Sequence, residues 1–86
     1  MAKKVSVVIV SYNVRGYLVK CIDSVRKALE GLDGEIVVVD NNSKDDTVSY
    51  LRQHMTDVQL IANTENVGFA RANNQAIRQS ESEYVL

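Results

Sequence analysis

Three short polar stretches carry most of the side chains able to do chemistry: Ser11-Tyr12-Asn13, Asp40-Asn41-Asn42-Ser43 and Asn63-Thr64-Glu65-Asn66-Val67-Gly68. Asp40 is the sharpest position among them. A carboxylate there can accept a hydrogen bond from a base N–H or a ribose hydroxyl. Its plainer role is to cap the helix that follows, which Ser43 can also fill. Tyr12 offers a flat amphipathic ring, suited to stacking on a base or sugar or to covering a sheet edge. Asn41 and Asn42 are either ligand contacts or turn residues with left-handed backbone. Arg71 suits bidentate contact with a diphosphate, or stands solvated on the surface. Asp45 and Asp46 read as first-turn acids serving a helix dipole rather than as metal ligands.

What is missing narrows the chemistry further. After the first apolar run the chain reads Ser11-Tyr12-Asn13-Val14-Arg15-Gly16, with no G-x-G-x-x-G and no G-K-[ST]. Without those glycines the backbone cannot approach a pyrophosphate closely, which argues against an NAD site. A receiver-like domain needs an acidic pair at the same place, and none is present. His54 reads as a surface residue at a helix end and Cys21 as core. No Ser-His-Asp set, metal-ligand cluster or paired carboxylate can be assembled from the rest.

The elements that must position these stretches are legible from periodicity. Ile36-Val37-Val38-Val39 is four aliphatic residues with no polar face, so it reads as a strand buried on both sides, which implies a parallel sheet covered by helices above and below. Residues 5–10 are a second aliphatic run and the first strand. Val14, Leu18, Cys21, Ile22, Val25 and Leu29 recur at helical spacing, with Asn13 as N-cap and Gly31 as the stop. Ser43 with Asp46 has the spacing of a capping box opening a helix over 45–54, with Val48, Leu51 and Met55 on one stripe. Residues 58–61 form a third strand. A helix over 69–79 follows, with Phe69, Ala70, Ala72, Ala76 and Ile77 apolar and Asn73 and Asn74 interrupting the stripe. Residues 84–86 begin a fourth strand.

The order β-α-β-α-β-α-β with right-handed crossovers predicts a three-layer α/β/α Rossmann-like sheet with strands in the order 3-2-1-4. All three polar stretches follow strands and should meet on the carboxyl edge, where open α/β sheets bind ligands.

The totals set outer bounds. Eighty-six residues make one domain at most, 1–86, with 45% hydrophobic and 24% charged residues. A net charge of -1 argues against a broad polyanion-binding surface, and the single cysteine excludes an internal disulfide framework. No apolar run approaches the roughly 20 residues that span a bilayer. The expected location is cytoplasmic, with membrane association of a longer protein left open. The apolar ending Tyr84-Val85-Leu86 looks like a strand cut short, so the chain is expected to be the front part of something longer. Its open edge is expected to promote self-association.

Taken together, Tyr12-Asn13, Asp40-Asn41-Asn42-Ser43 with Asp46 and Thr47, and Asn66-Val67-Gly68-Phe69-Ala70-Arg71-Ala72-Asn73-Asn74 resemble the amino-terminal part of family 2 glycosyltransferases of the GT-A fold. The last segment is similar to a rhamnosyltransferase-like subgroup. The resemblance implies a nucleotide-diphospho-sugar site, with a dTDP- or UDP-linked donor, a saccharide acceptor and transfer with inversion. It further implies that Ser11, Tyr12 and Asn13 line the base, with Tyr12 stacking on it. Asp40 would accept the base imide N–H, Arg71 would lie near base and diphosphate, and Asn66 and Gly68 would close the pocket. Many members carry Asp-Asp or Asp-Gly where this chain has Asn41-Asn42, so Asn42 stands in a departure from the family pattern. Mg2+ or Mn2+ is implied for the complete enzyme. The family's metal motif and catalytic base lie further along than Leu86, so the 86 residues alone are expected to bind donor without transferring sugar. The alternative is a non-catalytic nucleotide-binding or interaction module of the same α/β type.

Overall fold

A computed structural model describes residues 5–13 and 15–79, and the backbone of 84–85. The helix position Val14 and the terminal Leu86 named above lie outside the described residues, as do the side chains of Tyr84 and Val85.

The elements run β1 (Val5–Ser11), α1 (Arg15–Ala28), β2 (Gly34–Asp40), α2 (Thr47–His54), β3 (Gln59–Ala62), α3 (Phe69–Gln79) and β4 (Tyr84–Val85). All pairings are parallel, and the sheet order is β3-β2-β1-β4. The β1–β2 register pairs Val5 with Gly34 at one end and Ser11 with Asp40 at the other.

β2 is the axis of the core because its side chains are buried on both faces. Ile36 and Val38 join Leu18, Ile22, Leu51, Met55 and Val58 beneath α1 and α2. Val37 and Val39 pack on the other face against Ala72 and Ala76 of α3, with Val8, Val10 and Ile61 alongside. Strand alternation thus sends odd and even residues of β2 to different helical layers. The two alanines let α3 lie close on the valine surface of β1 and β2.

Where the structure departs from the sequence expectation, helix geometry gives the reason. Cys21 is exposed, not core. Leu18 and Ile22 centre the buried stripe of α1, and one residue back from Ile22 is a turn of about 100°, which carries the thiol off it. Phe69 and Ile77 are 71% and 48% exposed. Ile77 is one step around from Ala76, and Phe69 opens the helix past the strand ends. α2 begins at Thr47 rather than Asp45, and its N-cap Asp46 makes no side-chain cap bond. The Ser43 hydroxyl is committed to Asp40 instead, so the Ser43–Asp46 spacing does not form a capping box. β3 is displaced by one residue from 58–61, with Val58 buried just before it.

Candidate ligand site at the carboxyl rim

The loops after β1, β2 and β3 all open on the carboxyl edge of the sheet, where backbone bonds lace them together. Asn41 N–H donates to the Ser11 carbonyl at 2.9 Å, and Asn63 N–H donates to the Asp40 carbonyl at 2.9 Å. Each loop also holds one residue in the left-handed region: Asn13 at φ 54°, Asn42 at φ 65° and Gly68 at φ 85°. Asparagine and glycine tolerate that conformation where bulkier residues do not.

Two polar networks sit beneath these loops, one on each face of the sheet. On the α1/α2 side Asp40 is wholly buried. Its Oδ1 accepts from the Ser11 hydroxyl at 3.1 Å and the Ser43 hydroxyl at 2.5 Å, and its Oδ2 accepts from Ser43 N–H at 2.8 Å. The Ser43 oxygen in turn accepts from Asn13 N–H at 2.8 Å, and Asn13 Oδ1 accepts from Lys44 N–H at 2.5 Å. Asn13 is therefore bound across to the second loop, not capping the first turn of α1. On the α3 side Asn63 and Gln75 exchange paired amide bonds at 2.9 and 3.0 Å. Asn63 also donates to Asn41 Oδ1 at 3.0 Å, and Asn41 donates to the Gly68 carbonyl at 3.4 Å.

The expected site residues divide accordingly. Ser11 and Asp40 are buried supports, and the open carboxylate expected of Asp40 is absent because the carboxyl group is turned inward between two serines. Tyr12 is 44% exposed, flanked by anchored Ser11 and Asn13. Asn13, Asn66 and Gly68 are exposed and Asn42 is half-buried. Asn66 Oδ1 accepts from Gly68 N–H at 2.9 Å, tightening its loop. Arg71 stands apart: it lines a cleft of about 260 Å³ with Val67, Asn74, Gln75 and Arg78 along one flank of α3. Among the described residues of the first two loops, none lines that cleft.

Helical spacing does not single out the Asn63–Gln75 pair. Gln75 directly precedes buried Ala76, and that flanking position was the available signal. The amides at 73 and 74 interrupt the apolar stripe, although Asn74 is exposed.

Beside the rim, Asp45 braces the start of α2. Its carboxylate accepts from the hydroxyl and the N–H of Thr47. The Thr47 hydroxyl holds this carboxyl below its ordinary range; burial opposes the shift, and backbone amides of Thr47 and Arg15 reinforce it. Arg15 Nε pairs with Asp46 at 2.8 Å, and its guanidinium lies 4.9 Å from the Tyr50 ring centre, tying α1 to α2. Among the described residues no three of His, Cys, Asp and Glu gather closely enough to hold a metal ion. These residues therefore do not fit the divalent cation that the resemblance implies.

The family model of glycosyl transferase family 2 matches residues 6–86. The chain is 33% identical over 85 residues to the uncharacterized glycosyltransferase YfnE of Bacillus subtilis, covering 96% of this chain and 22% of that one. It is 35% identical over 88 residues to a poly(ribitol-phosphate) beta-glucosyltransferase of Bacillus spizizenii, covering 96% and 14%. Among solved structures, the mannosyltransferase PcManGT from Pyrobaculum calidifontis in complex with GDP-Man and Mn2+ aligns with a TM-score of 0.75 at 28% identity, over 93% of this chain and 25% of that one. Residues 1–349 of TarS from S. aureus align with a TM-score of 0.75 at 30% identity, over 96% and 26%. The chain thus spans less than a quarter of the length of these two curated relatives. Matched almost end to end in sequence, and in backbone to transferases of the GT-A fold, the chain belongs to glycosyl transferase family 2.

Proposed function

We propose that this chain is the donor-nucleotide-gripping part of an inverting sugar transferase. Family membership supplies the reaction class: an acceptor hydroxyl attacks the anomeric carbon of a nucleotide-diphospho-sugar, and the nucleoside diphosphate departs. The observation that carries the assignment to these residues is the rim itself. Three laced loops, each with one left-handed residue, present Tyr12, Asn42, Asn66 and Gly68 over a floor of buried and half-buried hydrogen bonds.

In this reading Tyr12 stacks on the base, and the amides of Asn42 and Asn66 offer hydrogen bonds to the nucleoside. Arg71, in the first turn of α3, reaches the diphosphate from its cleft by a change of rotamer. Resemblance to the rhamnosyltransferase-like subgroup favours a dTDP- or UDP-linked donor. The cation that stabilises the leaving diphosphate and the base that activates the acceptor are assigned to residues other than those described.

Calorimetric titration with UDP, dTDP and GDP tests the proposal. UDP or dTDP is expected to bind, and Tyr12→Ala to weaken binding by roughly 1–3 kcal/mol, the value of one stacked base. Urea stability of that exposed-site variant should stay within about 0.5 kcal/mol. Arg71→Ala is expected to weaken the diphosphates while leaving the free nucleoside unaffected. With magnesium or manganese present, the 86 residues should release no sugar. Absence of nucleotide binding, or a Tyr12→Ala variant that binds as well as the parent, would overturn the assignment.

A further inference from the structure

We infer that Asp40, Ser43 and Asn13 form a clasp that sets the pose of the Tyr12 loop, so that Asp40 acts on a bound nucleotide through Tyr12 and does not read the base. The inference rests on the nucleotide reading above and changes the role of its most prominent residue.

The geometry runs in one connected path. Tyr12 lies between two anchors, and both lead back to the same carboxylate. On one side the Ser11 hydroxyl donates to Asp40 Oδ1. On the other, Asn13 N–H donates to the Ser43 hydroxyl oxygen, whose own proton goes to Asp40 Oδ1. The hydroxyl of Ser43 is thus donor to the acid and acceptor from the loop, which fixes the direction of both bonds. Asn13 closes a second link by accepting from Lys44 N–H, which its left-handed backbone allows. Asp40 has 0% exposed surface and accepts three bonds from inside the fold.

The strand pattern separates carboxylate and ligand further. Asp40 shares the parity of Ile36 and Val38, which face α1 and α2, whereas Asn41 reaches the Gly68 carbonyl on the α3 side. A base resting on the rim therefore meets the loop that Asp40 holds, and not its oxygens. Asp40, Ser43 and Asn13 are positioning residues on this account, and base preference is set by the exposed groups above them.

The experiment is a double-mutant cycle read by calorimetry with UDP and CDP, whose bases present opposite hydrogen-bonding character at N3. Asn13→Gly keeps the left-handed backbone but removes the side-chain acceptor. It is expected to weaken both nucleotides by the same factor, about five- to tenfold, the scale of one lost hydrogen bond. Asn13→Asp, which keeps the acceptor, should restore affinity. In a Tyr12→Ala background Asn13→Gly should have no further effect. Asp40→Asn should likewise lower both affinities without changing the UDP-to-CDP ratio. An Asn13→Gly loss that persists undiminished without Tyr12, or an Asp40→Asn variant that binds but shifts the UDP-to-CDP ratio severalfold, overturns the inference alone. A parent chain that binds neither nucleotide overturns the nucleotide reading, and the inference with it.

Discussion

The two ends of the sheet use the same chemistry to different effect. At the amino end Glu35 accepts from the Ser6 hydroxyl at 2.5 Å and from Gln59 Nε2 at 2.6 Å, so its carboxylate bridges three strands, where that of Asp40 ties β1 to the loop after β2. Arg26 pairs with Asp57 and Asp23 nearby. Yet Glu35 is only half-buried, and the link from α1 into β2 is tight, with Gly31 at φ 80°. A Cβ on Gly34 would come within 2.8 Å of the Leu29 side chain. At the carboxyl end the acid is sealed, the loops carry the two non-glycine residues in left-handed conformation seen among the described residues, and an aromatic ring is held outside. A cross-strand acid alone therefore does not mark a site. What marks it is a buried acid spent on holding exposed groups in unusual backbone poses.

The largest expected difference between the ends follows from burial. Asp40→Ala strips three bonds and leaves two serine hydroxyls and an amide without their acceptor, at a cost of about 3 kcal/mol in urea unfolding. Glu35→Ala removes one bond from the exposed Gln59 amide, which can turn to water, and one from the buried Ser6 hydroxyl, and should cost about 1–2 kcal/mol. Equal losses at the two sites would erase the contrast between a sealed and an open bracket.

Much of this was legible in the letters, and the rest fails for identifiable reasons. The unbroken run Ile36 to Val39 could only be a strand covered on both faces, and β2 is that strand. The polar stretches after each strand located the rim, and α3 spans residues 69–79 as its spacing predicts. The burial of Asp40 was not legible because it depends on register. Ser11 and Asp40 are opposite each other only once β1 and β2 are aligned. Ser43 misled because a hydroxyl three residues before an acid suits a capping box, but a buried carboxylate next to it was the stronger partner. Arg71 sits in the helix turn expected of it, while its place in the α3 cleft depends on a long side chain's rotamer, which spacing does not encode.

A middle-sized effect separates backbone strain from ligand contact. Asn42→Ala forces a Cβ-bearing residue without a local polar side chain into φ 65°, costing about 1 kcal/mol. Gly31→Ala at φ 80° should cost a similar amount, for the same reason. Only the first should also weaken nucleotide binding, because Gly31 lies between α1 and β2, away from the rim. If calorimetry shows both substitutions reducing affinity equally, the rim holds no privileged geometry.

The smallest effect is electrostatic and concerns the edge of the rim. The Asp45 carboxyl lies below its ordinary value of 3.8, chiefly because the Thr47 hydroxyl donates to it, with burial acting in the opposite sense. The folded chain therefore binds that proton less tightly than the unfolded chain does. Its contribution to stability is full above the ordinary carboxylate value and fades as pH falls through the lower folded value. Thr47→Val preserves the shape of a fully buried side chain while deleting the hydroxyl. The Asp45 titration, followed by carboxyl NMR, should then move up towards 3.8 without passing it far, because the Thr47 N–H bond remains. Acid unfolding of the variant should show a shallower loss below the ordinary value, and stability near neutrality should fall because the hydroxyl bond is gone. Asp45 is exposed, so solvent screening keeps the change small. An unchanged Asp45 titration in Thr47→Val would assign the lowered value to the backbone amides, leaving the hydroxyl as a packing group at the start of α2.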